Sequence, residues 1–115
     1  VINATVTGNA GGQPELIMTQ SGKQMARFSV ASTMRRKDRE PTTTWVRVVC
    51  FDETAADAAE RIEKGDRVLV TGRLEMEQYT RKDGQQGESL QMVADDIAIN
   101  VRVPKRDAVG AGAPF

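Results

Sequence analysis

The run Thr44-Trp45-Val46-Arg47-Val48-Val49-Cys50-Phe51 constrains the fold more than any other stretch of the chain. Successive side chains of a strand point to opposite faces. Val46, Val48 and Cys50 therefore share one face, and Trp45, Arg47, Val49 and Phe51 the other. Met25–Thr33 repeats the period, with Ala26, Phe28 and Val30 on its apolar face. Arg67–Tyr79, rich in β-branched and long apolar residues, reads as a third such strand, and Ile2–Thr7 as one ended by Gly8-Asn9. Toward the C-terminus Leu90, Met92 and Ala94 alternate, and then Ile97, Ile99 and Val101 alternate in the opposite phase. Since a one-residue slip exchanges the two faces of a strand, that change of phase predicts a bulge or break at Asp95–Asp96.

One segment has a different period. Ala55, Ala59 and Ile62 recur at helical spacing in an Ala-rich stretch. Thr54 with Asp57 approximates a capping box, and Gly65 serves as a C-terminal stop. The expected order is three strands, a short helix and two strands. The polar run from Arg81 to Gly87 forms the hairpin tip between the last two. Such an all-β, five-stranded barrel, with its helix between the third and fourth strands, has the layout of an OB-fold. The expected domain spans residues 1–102. The tail 103–115 holds Pro, Gly and Ala without periodicity and is expected to be mobile.

The 115 residues suffice for one domain, and a hydrophobic fraction of 39% for one modest core. Sixteen Lys and Arg balance sixteen Asp and Glu. The balance is not local: Ser21–Arg47 carries seven basic residues against Asp38 and Glu40, whereas Asp52–Asp66 carries six acids against Arg61 and Lys64. Opposed blocks leave room for a basic binding face despite the neutral total. No His is present, which removes the commonest general base and metal ligand. The single Cys50 lies in an apolar run and reads as a buried, inert thiol. No metal site and no cofactor is expected. No apolar run approaches the ~18 residues of a membrane span, and no basic-then-apolar signal opens the chain. A soluble, cytoplasmic and nucleoid-associated protein is expected, with its N-terminus trimmed or partial because no Met opens it.

Several fragments, in order, resemble bacterial single-stranded-DNA-binding proteins. They are Thr7-Gly8-Asn9 with Pro14-Glu15-Leu16, Ser21-Gly22-Lys23 with Phe28-Ser29-Val30-Ala31-Ser32, and the run from Thr44 to Phe51. Lys64-Gly65-Asp66-Arg67-Val68 and Val70-Thr71-Gly72-Arg73-Leu74 complete the set. The resemblance implies an OB-fold, binding of single-stranded DNA without marked sequence preference, a homotetramer, and roles in replication, recombination and repair.

Unpaired DNA exposes base faces, so a binder needs flat aromatic platforms with cations beside them. Trp45, Arg47 and Phe51 form an aromatic–cation–aromatic stripe. By the resemblance Trp45 and Phe51 stack on bases, and Arg47 contacts backbone or base. Tyr79 matches a position where the family usually carries tryptophan, and Arg36 one where it commonly carries an aromatic. Arg35, Arg36, Lys37 and Arg39 fall in the expected loop between the second and third strands, where guanidinium groups can pair with phosphates. Arg73, Arg81 and Lys82 are secondary candidates.

Three features depart from the family. Glu75 and Glu77 share the face of Tyr79 if Leu74–Tyr79 alternates, where relatives often have cations. Val46 replaces a frequent His. Family members usually end in an acidic tip followed by Pro-Phe that recruits repair and replication proteins. This chain ends Ala113-Pro114-Phe115 with Asp107 as the sole acid after Asp96, so any recruitment is expected to be weak. Two rival readings use the same barrel: an assembly module with little DNA contact, and an RNA binder. An enzyme is the least supported class, because no nucleophile–base pair can be named.

Overall fold

The computed structural model describes residues 1–99. The expected domain boundary at 102 and the mobile tail at 103–115 lie outside these residues. The chain runs β1 (Ile2–Ala10), β2 (Glu15–Met18), β3 (Gln24–Arg36), β4 (Arg39–Phe51), α1 (Asp52–Arg61), β5 (Arg67–Thr80) and β6 (Gln86–Ile99). The hydrogen-bonded order is β1-β5-β6-β4-β3-β2, and β1 also pairs β3 at Asn9–Ala31 and Ala10–Val30. That last pairing closes β1, β5, β6, β4 and β3 into a five-stranded barrel, while β2 extends the far edge of β3. With its helix between β4 and β5, this is an OB-fold.

The alternating pattern accounts for the core. Ala26, Phe28 and Val30 of β3 meet Val46, Val48 and Cys50 of β4, Val68 and Val70 of β5, and Met92 and Ala94 of β6. At ~25 cal/mol per Å² of apolar area, burial of each Val or Met contributes about 1.5–3 kcal/mol. The phase change in β6 is a β-bulge: Thr71 pairs Asp96 and Gly72 pairs Ala94, leaving Asp95 without a partner. The extra residue lets Met92 and Ala94 face inward before it and Ile97 pack on the core after it. Gly72 sits at this point because a Cβ there would collide with the backbone carbonyl of Val93 and stand 2.9 Å from Ala94 Cα.

Four expectations need correction. Glu15–Met18 is a fourth strand before the helix, separated from β1 by the turn at Gly11–Pro14, so the order is four strands, helix, two strands. The capping box does not form. Phe51 is the N-cap residue, with no side-chain cap hydrogen bond, and Thr54 lies inside the helix. The helix buries Ala55 and Ala58, with Ile62 just beyond it, whereas Ala59 is half-buried. Gly65 does not end α1 directly. Ile62 caps it, its N–H donating to Ala58 O at 3.0 Å, and Gly65 lies further on in the Glu63–Asp66 turn. Finally, the basic run around Arg36 is not a loop. β3 and β4 form one long hairpin whose turn is only Lys37-Asp38.

Two arms extend from the barrel as a result. Every residue from Thr33 to Trp45 is exposed, and so is every residue from Glu75 to Gln86. The first arm is held by its ladder and by the Thr33–Thr43 hydroxyl pair at 3.0 Å. The second ends in the turn Arg81–Gln85, where Arg81 N–H donates to Gln85 O at 2.7 Å and Gln85 N–H to Asp83 Oδ1 at 3.0 Å. Gly84 takes φ +84° there, a conformation open to glycine at little cost.

Candidate nucleic-acid interface

The outward phase of β4 carries the stripe. Trp45 is 57% exposed and Phe51 37%, while Val46, Val48 and Cys50 between them are buried, so the aromatic rings are not core residues. Arg47 is exposed between them. Phe51 lies six residues along the strand from Trp45, about 20 Å at ~3.3 Å per residue, so the two rings are separate surfaces. Trp45 does not stand free. A Cβ on Gly11 would lie 2.9 Å from its Cζ3, so only a glycine lets the β1–β2 turn approach the ring this closely.

The neighbouring strands widen the face. Across β3, Ala31 pairs Trp45, Ser29 pairs Arg47, and Met25 pairs Phe51. On the other side Arg47 pairs Gln91 of β6, and Gln91 pairs Glu75 of β5. Side chains opposite one another in a ladder share a face, so the acids do lie on the outward face. Glu75 is two strand spacings from Arg47, about 9.6 Å. With its amide nitrogen turned toward β5, Gln91 donates to both carboxylate oxygens of Glu77, 3.2 Å each. Val49 is the exception on this face: it is buried, at 8% exposure, with Arg27 opposite on one side and Val93 on the other.

Tyr79, 46% exposed, lies on the second arm with its ring over Gly87, where a Cβ would stand 2.5 Å from Cζ. Its outward phase matches that of Glu75 and Glu77. Arg73, also outward, is paired with Val93 and Asn3. Arg81 and Lys82 are exposed at that arm's tip. On the first arm Arg35 has the parity of Trp45. Arg36 has the opposite parity, and its Nε donates to Met34 Sδ at 3.4 Å. Lys37 sits in the turn. The structure thus joins Trp45, Arg47 and Phe51 on one strand and places Arg35–Lys37, Tyr79 and Lys82 on the two arms.

Residues not singled out from sequence complete the face. A shallow groove of ≈ 350 Å³ beside Trp45 is lined by Gly11, Gly12, Gln13, Phe28 and Ser29. A second, ≈ 370 Å³, shares Gln13, Phe28 and Ser29 and adds Glu15, Arg27 and Arg47. Arg27 Nε donates to Glu15 Oε2 at 3.2 Å, and both side chains remain at least half exposed. The signal for Arg27 and Ser29 was their outward phase in the strand Met25–Thr33. Gln13 carried none. On the opposite phase, burial pushes the Cys50 thiol pKa up, and Sγ donates to Ala26 O at 3.7 Å. No cluster of His, Cys, Asp and Glu fit to hold a metal occurs among the described residues, nor does any helix long and apolar enough to cross a membrane.

An OB barrel whose outward β4 face presents rings and a cation is the class of protein that the fold and site define. Residues 1–100 match the single-strand binding protein family, and the chain belongs to that family. It is 36% identical over 104 residues to the single-stranded DNA-binding protein of Paenarthrobacter aurescens, covering 85% of this chain and 61% of that one. With the single-stranded DNA-binding protein of Xanthomonas campestris pv. campestris it shares 38% over 96 residues, covering 80% and 56%. The chain therefore spans less than two thirds of the length of these curated relatives. The crystal structure of the small single-stranded DNA-binding protein from Streptomyces coelicolor superposes with a TM-score of 0.77 at 29% identity, covering 87% of this chain and 94% of that one.

Proposed function

We propose that this chain binds single-stranded DNA with little sequence preference and protects it during replication, recombination and repair. It performs no catalysis and works in the cytoplasm. The observation that carries this reading is the exposed Trp45-Arg47-Phe51 stripe on a strand whose other phase is core. Bases stack on the rings, each contributing ~1–3 kcal/mol whatever its identity, and Arg47 neutralises backbone charge between them. Arg35, Arg36, Lys37, Arg73 and Lys82 add phosphate contacts from the arms and the barrel. Tyr79 supplies a further platform.

A homotetramer is part of this reading. Its support is the edge of β1, which among the described residues has no ladder partner opposite β5 from Ile2 to Gly8. Unpaired edges invite pairing with another chain. The exposed Val1, Ile2 and Met76 at the same end add apolar surface. Val6 gives no such support, because it already packs against the core. Tetramers would offer four stripes to one wrapped strand, making later contacts intramolecular.

Titrating oligo-dT while following the emission of Trp45, at two salt concentrations, tests the reading. Quenching that weakens as salt rises is the expected result. Emission unchanged at saturating DNA refutes it and favours the assembly module, for which Glu75 and Glu77 on the outward face are the supporting observation.

A further inference from the structure

We infer that the groove between the β1–β2 turn and β3 is a phosphate subsite, in which Arg27 and Arg47 clamp the backbone of the nucleotide stacked on Trp45. The inference rests on the reading of the chain as a single-stranded-DNA binder and specifies where the strand runs. Arg27 and Arg47 are diagonal neighbours across the β3–β4 ladder, since Ser29 pairs Arg47 and Val49 pairs Arg27. Diagonal neighbours lie ≈ 7–8 Å apart, within reach of long side chains. Both arginines line one open groove together with Ser29, and that groove abuts the one beside Trp45 through Gln13, Phe28 and Ser29.

The two arginines differ in how they are held. Among the described residues Arg47 forms no ion pair. Arg27 gives its Nε to Glu15 Oε2, which leaves the remaining donors of its planar fork for an incoming phosphate. Glu15 acts as a positioning residue that orients the fork and also opposes the anion. The opposite flank supplies a reason for the strand to prefer this side. There Glu75 and the Glu77–Gln91 pair present carboxylates about two strands from Arg47. A polyanion crossing β4 meets cations toward β3 and carboxylates toward β5, so it turns over Arg27 toward Gln13. Both side chains of the Arg27–Glu15 pair are exposed, and neither belongs to the core.

The experiment uses the full chain with 5′-labelled oligo-dT, followed by anisotropy across a salt series and in parallel by Trp45 emission. Arg27→Gln is expected to weaken binding about tenfold at low salt, the lower end for a hydrogen bond to a charged group. It should make the salt slope shallower by ~0.7, one phosphate contact. The charge-matched control Arg61→Gln, on α1, should leave both unchanged. Glu15→Gln keeps a hydrogen-bond acceptor for Arg27 and removes the opposing charge, so it should tighten binding severalfold. On an oligonucleotide with a neutral methylphosphonate backbone, the wild type and Arg27→Gln should bind alike. If the wild type binds and Arg27→Gln keeps its affinity and slope, or loses as much on the neutral backbone, the subsite is refuted alone. If the wild type does not bind oligo-dT, the parent reading falls as well.

Discussion

Replacing Trp45 by Ala removes one stacking surface and little else. The ring is 57% exposed, so its loss opens no cavity in the core, and folding stability should change by less than about 1 kcal/mol. The turn at Gly11 closely approaches Cζ3 and Cη2 of the ring, and one stacked base is taken for the exposed remainder. The expected loss is that of one base, ~1–3 kcal/mol, or about 5- to 150-fold in Kd. Phe51 is 37% exposed on the same face, and its ~20 Å separation from Trp45 lets the two losses add. Trp45→Ala with Phe51→Ala should therefore cost ~2–6 kcal/mol. The variant lacks the fluorophore, so the assay is anisotropy of labelled oligo-dT, with circular dichroism and urea unfolding as folding controls. A folded Trp45→Ala whose Kd lies within twofold of the wild type would refute the stacking role. A double variant no weaker than the worse single variant would refute two independent platforms.

Reversing Glu75 and Glu77 to Lys should raise affinity for oligo-dT and steepen the salt slope by up to ~0.7 per new phosphate contact; unchanged binding would mean the strand never nears β5. Gly72→Ala drives a methyl into the backbone of Val93 and Ala94 and should destabilise by about 1–3 kcal/mol or more in urea. Cys50, with its thiol pKa raised above the ordinary 9.0 by burial, keeps its proton in the fold after the unfolded chain has lost it. Its contribution to stability is thus full below pH 9.0 and falls as pH rises further, and a thiol reagent at neutral pH should modify it only as fast as the barrel opens. Light scattering should give a mass near four chains at micromolar concentration, and a monomeric mass would remove the wrapping mechanism.

How much was legible in the sequence follows from what each signal measures. Alternation reports burial on one face, so it located Val46, Val48 and Cys50 inside, Trp45 and Phe51 outside, and the bulge at Asp95. It is silent where both faces meet solvent. The outer halves of β3 and β4, from Thr33 to Trp45, carry no burial pattern, and their charges resembled a loop. Leu16-Ile17-Met18 is continuously apolar, without alternation, and passed unread as β2. The Thr54–Asp57 pair had capping chemistry, but the chain enters α1 from β4 through Phe51, three residues too early for Thr54 to serve. Gln13 and Arg27 come together through the turn after β1 and the register of β2 on β3, which no local pattern encodes. Arg27 was nonetheless available from phase alone, as an outward residue beside Ser29.

The barrel's closure has a kinetic consequence. Two antiparallel sheets, β2-β3-β4 and β1-β5-β6, meet along two short seams: Val46–Val49 against Leu90–Val93, running parallel, and Asn9–Ala10 against Ala31–Val30. The β2–β3, β3–β4 and β5–β6 pairings join strands adjacent in sequence and can form early, whereas β1 reaches β5 across the whole of the intervening chain, from Ile2 to Leu74. The seams join segments some twenty to forty residues apart, and their loop-closure entropy is offset only when the core is buried between them. Folding should therefore pass through a preformed β2-β3-β4 meander and β5–β6 hairpin, with their docking and the addition of β1 as the slow step. Substitutions at Val48 or Met92, inside the seam, then alter the folding rate, whereas those in the two arms leave it nearly unchanged.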